Sequence, residues 1–588
     1  MLTITTSLAY SLLLGSMGSA FAILQQRQFD GGFDWSSVEP AQQLQYHDCY
    51  DGFRCARLKV PLDWTKSNND SDNNWVAIGI ITLPATVPET DSSFGGTVLV
   101  NPGGPGGSGT EMALELGGYL QGILEGGDRH YEILGFDPRG VALSTPRADC
   151  YNGDNFNRAA DNIQKEGMPP VAAGAQSLAI HYQAAKGLSD LCAAQAGGPK
   201  SIFNYMSTAS VARDMLEIVE RVDELRQKTS TNSSSTTHEK PRLQYIGVSY
   251  GTILGNTFAS MFPGRITLAS SSRSQANATT TKTWLRNLND AELVVDHFYE
   301  TCFKAGHKHC ALTQPSDKDA SNIRGRVDHF IQELIASPVS VVAADGRIRL
   351  ITSIIVRDAI RQTLYSPISL YEPLSNMLAE ALAGNYTLLS QSPAAMDYKR
   401  NNVCDKPVMD SSFPPPEYTW DNEATIGVLC GDSAAASASE HTTLSWAQDI
   451  VKKLEAQSPT TAEPWSRIPL ACLGWKFQPK YAFGGPFGHS SGPDARHTPS
   501  APMLILSNRY DHATPLRNAH SLSKAYPGSV VLVQESFGHC ALLTSKSACT
   551  AEHVRSYFES GKVPERGSTC SEDCRPSIPY TTCPGFPR

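Results

Sequence analysis

Gly247-Val248-Ser249-Tyr250-Gly251 decides the fold: it is entered from the apolar run Leu243-Gln244-Tyr245-Ile246 and left through Thr252, Ile253, Leu254, Phe258 and Met261. The stretch reads as strand, sharp turn and helix, with the helix stopping at Pro263-Gly264. A strand that turns at once into a helix strains the backbone of the central serine and leaves no room for side chains beside it, so glycine flanks it. That is the pattern of a nucleophile elbow, and it makes Ser249 the candidate nucleophile. Glycine makes up 46 of the 588 residues; the pentapeptide alone arises readily by chance, and its setting must carry the reading.

Three further segments supply that setting. Thr97-Val98-Leu99-Val100 runs into Asn101-Pro102-Gly103-Gly104-Pro105-Gly106-Gly107-Ser108-Gly109, a loop whose backbone N–H groups can approach a developing oxyanion unobstructed by side chains. Met503-Leu504-Ile505-Leu506 leads through Ser507-Asn508-Arg509-Tyr510 to Asp511, and Val530-Val531-Leu532-Val533 leads through Gln534-Glu535-Ser536-Phe537-Gly538 to His539. Nucleophile, acid, histidine, each past the end of an apolar strand, is the chain order of the α/β-hydrolase triad. Open parallel sheets place ligand chemistry at those strand ends. Each piece also has a plainer use. A Gly-rich loop is usually a turn, Asp511 could cap the helix after Pro515, and His539 is one of 15 histidines. His512 and His520 are rivals to it, but neither follows a strand.

At larger scale the sequence resembles the secreted tripeptidyl or prolyl aminopeptidase branch of the α/β-hydrolases, with a tripeptidyl-aminopeptidase-like C-terminal region. The resembling motifs run from Cys55-Ala56-Arg57-Leu58-Lys59-Val60-Pro61-Leu62-Asp63-Trp64 through Asn101-Pro102-Gly103-Gly104-Pro105-Gly106, Asp137-Pro138-Arg139-Gly140-Val141 and Thr208-Ala209-Ser210-Val211-Ala212-Arg213-Asp214. They continue through the elbow to Asp511-His512-Ala513-Thr514-Pro515-Leu516 and Gly538-His539-Cys540. The resemblance spans roughly residues 45 to 575. It implies acyl transfer to water by Ser249, His539 and Asp511, an oxyanion hole of the Gly104 and Tyr250 N–H groups, and peptide substrates cut near a free amino terminus. It also makes Cys150/Cys192 and Cys430/Cys472 plausible pairs. One departure stands out: after Arg265-Ile266-Thr267-Leu268-Ala269 the chain reads Ser270 through Thr281, polar and turn-like, where relatives continue a strand, so a shortened core strand is expected.

Composition narrows the class. With 588 residues, a net charge of −9 and 40% hydrophobic content, the chain is globular and long enough for a core plus a second lobe. Nothing is strongly basic, which argues against nucleic acid as partner. Residues 1–22 read as a secretory signal ending in Ala20-Phe21-Ala22, with an apolar stretch shorter than the ~20 residues of a bilayer span. A secreted protein without a membrane anchor is expected. In that setting 14 cysteines favour disulfides over metal sites. Cys49/Cys55, Cys302/Cys310 and Cys540/Cys549 are close pairs, while Cys404, Cys570, Cys574 and Cys583 have no assigned partner. His307-Lys308-His309-Cys310 lacks a second pair at ligand spacing, so neither metal nor cofactor is expected. Sequons at Asn69, Asn232, Asn277 and Asn385 fit export.

The expected fold is a doubly wound, mostly parallel sheet with an inserted, mainly helical lid. Residues 1–22 are the signal, 45–268 the first part of the core, 269–499 the lid, 500–560 the C-terminal part of the core and 561–588 a cysteine-containing irregular tail. Leu288, Val295, Phe298 and Cys302 share one helical face in the lid, and two helical stretches lie between Ile351 and Leu382, parted near Pro367. Between Gln227 and Lys240 lies a low-complexity loop. A secreted esterase or lipase would use the same triad. A serine carboxypeptidase also uses a Ser-Tyr-Gly elbow, but with glutamate where Val248 stands. Inactive, binding-only α/β-hydrolase domains usually lack a triad member, and all three are present here.

Overall fold

The apolar runs become the strands of one ten-stranded sheet in a computed structural model that describes residues 33–66, 74–229, 240–271, 284–343, 346, 348–392, 422–434, 443–485, 499–581 and 583. In chain order they are β1 (His47–Cys49), β2 (Phe53–Pro61), β3 (Trp75–Leu83), β4 (Phe94–Asn101), β5 (His130–Phe136), β6 (Leu243–Gly247) and β7 (Ile266–Ser271). A separate antiparallel hairpin, β8 (Val339–Val342) and β9 (Ile348–Ile351), comes next, followed by β10 (Leu504–Tyr510), β11 (Val530–Phe537) and β12 (Thr569–Ser571). The sheet order is β1-β2-β3-β5-β4-β6-β7-β10-β11-β12. Pairing is antiparallel from β1 to β5 across β2 and β3, and parallel from β5 onward.

The two-residue period of each strand feeds two cores. Val98, Val100, Ile246, Leu504, Leu506 and Leu532 pack against the helices Gly109–Leu124 and Ala548–Ser560. Leu99, Leu243, Tyr245, Ile505, Val531 and Val533 pack on the other face against Thr208–Thr229, Gly251–Met261 and Leu516–Ala525. Helices on both faces of a mostly parallel sheet, with strand order reversing between β5 and β4, give the α/β-hydrolase architecture.

Between β7 and β10 the chain leaves the sheet. Helices Ala291–Ala305, Ala320–Ala336, Ser353–Thr363 and Pro367–Leu382 enclose their own core of Val294, Phe298, Ile323, Phe330, Ile360 and Leu378. Leu288, Val295, Phe298 and Cys302 are all buried, as their shared face implies. Helices Asn422–Ala434, Leu444–Gln457 and Ala462–Ala471 follow. The β8–β9 hairpin has no counterpart in the sequence reading.

One expectation is refined and two are corrected. β7 takes in Ser270 and Ser271: Ile266 to Ser271 pair with Leu243 to Gly247 on β6, but the ladder with β10 covers only Ser270 and Ser271, opposite Leu504 and Ile505, while β10 runs on to Tyr510. Backbone pairing on both sides fixes a strand whatever the polarity of its side chains. Ser507 to Tyr510 and Gln534 to Phe537 are not loop but the continuation of β10 and β11. The Cys540/Cys549 pair does not form. Cys549 opens the helix Ala548–Ser560 and bonds Cys570 on β12, while Cys540 is a buried free thiol. The other described bridges are Cys49–Cys55, Cys150–Cys192, Cys302–Cys310, Cys430–Cys472 and Cys574–Cys583. The signal segment, Asn69, Asn232, Asn277, Cys404 and residues 272–281 lie outside the described residues; Asn385 is exposed.

Candidate active site

The elbow forms where β6 gives way to the helix Gly251–Met261, and Ser249 sits in the left-handed region at φ 55°. For a residue other than glycine that conformation is strained, and it persists because the strand and helix on either side fix it. Ser249 is half-exposed. Next to it, β4 delivers the glycine loop: Val248 N–H donates to the Asn101 carbonyl (3.0 Å) and Gly103 N–H to Asn101 Oδ1 (3.0 Å). Gly103 has φ 94°, and a Cβ there would stand 2.7 Å from Tyr250 N and 2.5 Å from the Val248 carbonyl. Only glycine lets this loop approach the N–H beside Ser249 so closely. Gly104 follows it in the same turn, also at positive φ (106°).

The resemblance motifs brace that loop. Asp137 accepts from Ser108 Oγ (2.7 Å), Thr110 N (3.1 Å) and Leu143 N (2.9 Å), which anchors the helix that begins at Gly109. Arg139 donates from Nε to Asp214 Oδ2 (2.6 Å) in a wholly buried ion pair, so the Asp-Pro-Arg-Gly and Thr-to-Asp214 motifs are two halves of one strut.

Asp511 and His539 leave adjacent parallel strands at one level. Asn508 pairs with Gln534 but Tyr510 pairs with Phe537, so β11 carries one extra residue in a bulge. A bulge re-aims the strand end, and here it brings His539 Nδ1 to 3.0 and 3.1 Å from the two oxygens of Asp511. Asp511 also accepts from Ala513 N (2.9 Å), Thr514 N (2.7 Å), Thr514 Oγ1 (2.6 Å) and Cys540 N (3.0 Å). The capping use of aspartate and its pairing with the histidine are thus both realised. Burial opposes its charge, yet the facing His539 imidazole, with His512 and Thr514, holds the carboxyl well below the usual range. Burial equally disfavours the His539 imidazolium, but the Cys540 sulfur and the Asp511 carboxylate outweigh it and raise the imidazole well above its ordinary value.

Four residues join the site to which the sequence reading assigns no role there, although it names His512 as a rival histidine and quotes Thr514 in a motif. Thr514 Oγ1 lies 3.2 Å from His539 Nδ1 as well as bonding Asp511. Asn508, wholly buried inside β10, donates to the Gly538 carbonyl (2.9 Å) and to Thr544 Oγ1 (2.7 Å), fixing the peptide before His539. In sequence it stands between Ser507 and Arg509, a polar stretch that carries no local sign of burial. His512 is 0% exposed and burial drives its imidazole down to about 3. Tyr365 comes from the helical insertion, and no local pattern marks it. His520 lies on the exposed face of the helix Leu516–Ala525, away from this cluster.

Donor atoms of Asp511, His539 and Cys540 lie within 4.8 Å of one another, the spacing of a metal site, but the Asp511 oxygens already accept the bonds just described. Cys549 and Cys570, grouped with His553, are joined to each other and offer no thiolate. No helix among the described residues is long and apolar enough to cross a membrane.

An elbow serine, a Gly-rich loop against its neighbouring N–H, and an Asp–His pair at parallel strand ends define a serine hydrolase of the α/β-hydrolase fold. In sequence the chain is similar to tripeptidyl-aminopeptidase-like proteins. Residues 458–570 match the family described as TAP-like protein. The chain is 25% identical over 528 residues to serine protease Hip1 of Mycobacterium tuberculosis, covering 88% of this chain and 87% of that protein. It is 22% identical over 570 residues to tripeptidyl aminopeptidase of Streptomyces lividans, covering 94% and 89%. The solved proline iminopeptidase of Mycobacterium smegmatis overlies it with a TM-score of 0.30 at 12% identity, over 86% of this chain and 100% of that one.

Proposed function

We propose that the protein is an exported serine exopeptidase that releases tripeptides or single residues from the amino terminus of peptides. Ser249 Oγ attacks the scissile carbonyl and His539 takes its proton, later returning it to the leaving amine. Asp511 holds the imidazole in place and stabilises the imidazolium that forms. The N–H groups of Tyr250 and Gly104 receive the oxyanion, and losing one such donor costs ~3 kcal/mol of transition-state stabilisation. The observation that carries the reading is the His539–Asp511 pair at 3.0 Å on the same sheet edge as the strained elbow serine. The names of the two relatives favour peptides over simple esters, and Val248 removes the glutamate of a carboxypeptidase elbow. Six described disulfides, together with the leader-like residues 1–22, favour an oxidising compartment.

The test compares an amidated peptide with its N-acetylated twin, following fragments by mass, in the parent enzyme and in Ser249→Ala. Amino-terminal mono- or tripeptides from the free peptide alone, absent in the variant, are expected. Equal cleavage of both peptides, release of C-terminal residues, or turnover only of esters would refute the exopeptidase reading. A fluorophosphonate probe should label Ser249, and labelling of another residue would remove the nucleophile.

A further inference from the structure

Tyr365 occupies the corner between the helices Ser353–Thr363 and Pro367–Leu382 of the insertion. Its ring stands edge-on to two imidazoles, His512 at 4.4 Å and 84° and His539 at 5.3 Å and 83° between centroids and planes. The corner is held against the histidine loop from two sides. A Cβ on Gly538 (φ 109°) would stand 2.7 Å from Pro367 Cδ, so the loop and the insertion touch with no side chain between them. Behind the ring, Arg361 lies 5.7 Å from its centroid and is fixed by donating to Asp358 Oδ1 (2.6 Å).

Exposure separates these groups. His512 is 0% and His539 4% exposed, whereas Tyr365 is only half-buried. Of the rings packed on His539, Tyr365 therefore presents surface to an incoming molecule. A general acid has to reach the atom that departs, so the departing half of the substrate lies against His539. The acyl half, whose carbonyl oxygen the Tyr250 and Gly104 N–H groups are proposed to receive, lies toward the glycine loop.

We propose that Tyr365 is the contact surface for the leaving residue, the first residue on the amine side of the scissile bond, and that it selects bulky apolar or aromatic side chains there over glycine. This rests on the roles given above to Ser249 and His539. An aromatic ring flanked by the buried His512 imidazole and by Arg361, whose charge is already paired with Asp358, offers dispersion and edge-to-face contact, so the preference is for shape and apolarity. If Tyr365 served only to steady His539, removing it would slow every substrate alike.

The experiment uses the full-length enzyme and peptides with one common acyl part followed by glycinamide, leucinamide or phenylalaninamide. In the parent enzyme kcat/KM should rise about tenfold from glycinamide to phenylalaninamide, the scale of an apolar pocket contact. Tyr365→Leu should compress that range to about twofold, while Tyr365→Phe, which keeps the ring, preserves the ranking. Added phenylalaninamide should also intercept the acyl-enzyme less well in Tyr365→Leu than in the parent. An equal loss on all three substrates in Tyr365→Leu, or a parent enzyme indifferent to the leaving residue, overturns the assignment and leaves the catalytic reading standing. Undiminished turnover by Ser249→Ala overturns both.

Discussion

Single residues decide whether the strand ends become chemistry. Asn508 places the Gly538 carbonyl and so the His539 ring. Asn508→Ala leaves that carbonyl and the Thr544 hydroxyl without their buried donor, at a cost of ~1–3 kcal/mol in stability. Chemical denaturation should register it, with kcat falling at least tenfold because the base is displaced. A KM rise alone would show that Asn508 acts on substrate instead. The histidine itself sets the pH dependence. As the proposed general base it must be neutral, and the Cys540 sulfur and Asp511 carboxylate keep it protonated above its ordinary value of 6.5. The acid limb of kcat/KM should therefore lie above pH 6.5, with activity rising as pH rises through it. Cys540→Ala removes one of the two causes and should move that limb toward lower pH; an unmoved limb would assign the whole shift to Asp511. The elbow at Ser249 and the meeting of Asp511 with His539 were legible because each residue follows an apolar run and chain order constrains them jointly. Cys540 was misread because sequence adjacency to Cys549 says nothing about which way a helix start faces.

At the level of elements, the parallel strands were readable from Val, Ile and Leu runs, but their ends were not. The polar tails Ser507 to Tyr510 and Gln534 to Phe537 look like loop, and only pairing with neighbouring strands, including a bulge no sequence pattern announces, keeps them extended. β7 teaches the same lesson from the opposite side, since backbone ladders on both edges override a serine-rich composition. The insertion's helices showed their buried faces, whereas Tyr365 joins the site only through the packing of the Tyr365–Pro367 corner on Gly538. His512, locked between that corner and the β10 end, carries a folding prediction. Its imidazole falls from 6.5 in the unfolded chain to about 3 in the folded one, so the folded state binds fewer protons. Its contribution is fully present above pH 6.5 and lost as pH falls toward 3. His512→Phe should flatten the decline in stability across that window, seen in thermal melts at stepped pH. An unchanged slope would place the acid sensitivity in other groups.

Across the whole molecule, the C-terminal tail joins what the chain order separates. β12 extends the sheet beside β11, and then Ile578 enters the insertion's core while Tyr580 N–H donates to Glu372 Oε2 (2.7 Å). The sequence showed only an irregular cysteine-containing end, because nothing local reveals what a tail lies against. A chain ended after Ser571 loses the Ile578 and Tyr580 contacts to the insertion, together ~3 kcal/mol, and with them the Asp573 carboxylate that accepts from Ala548 N (2.8 Å) and the Cys574–Cys583 bridge. Its melting temperature should fall with the parallel part of the sheet intact by circular dichroism; an unchanged melt would show that the tail rests on the insertion without holding it. The placement of β10 and β11 after the insertion has a consequence during synthesis. Ser249 emerges from the ribosome early, but its acid and base wait for residues 511 and 539, and the strand that flanks them for residue 571. At about 5–20 residues per second the interval from Ser249 to His539 lasts roughly 15 to 60 s. Throughout it the nascent chain holds Ser249 without the two groups proposed to activate it, so a peptide-cutting activity cannot switch on before His539 has been added.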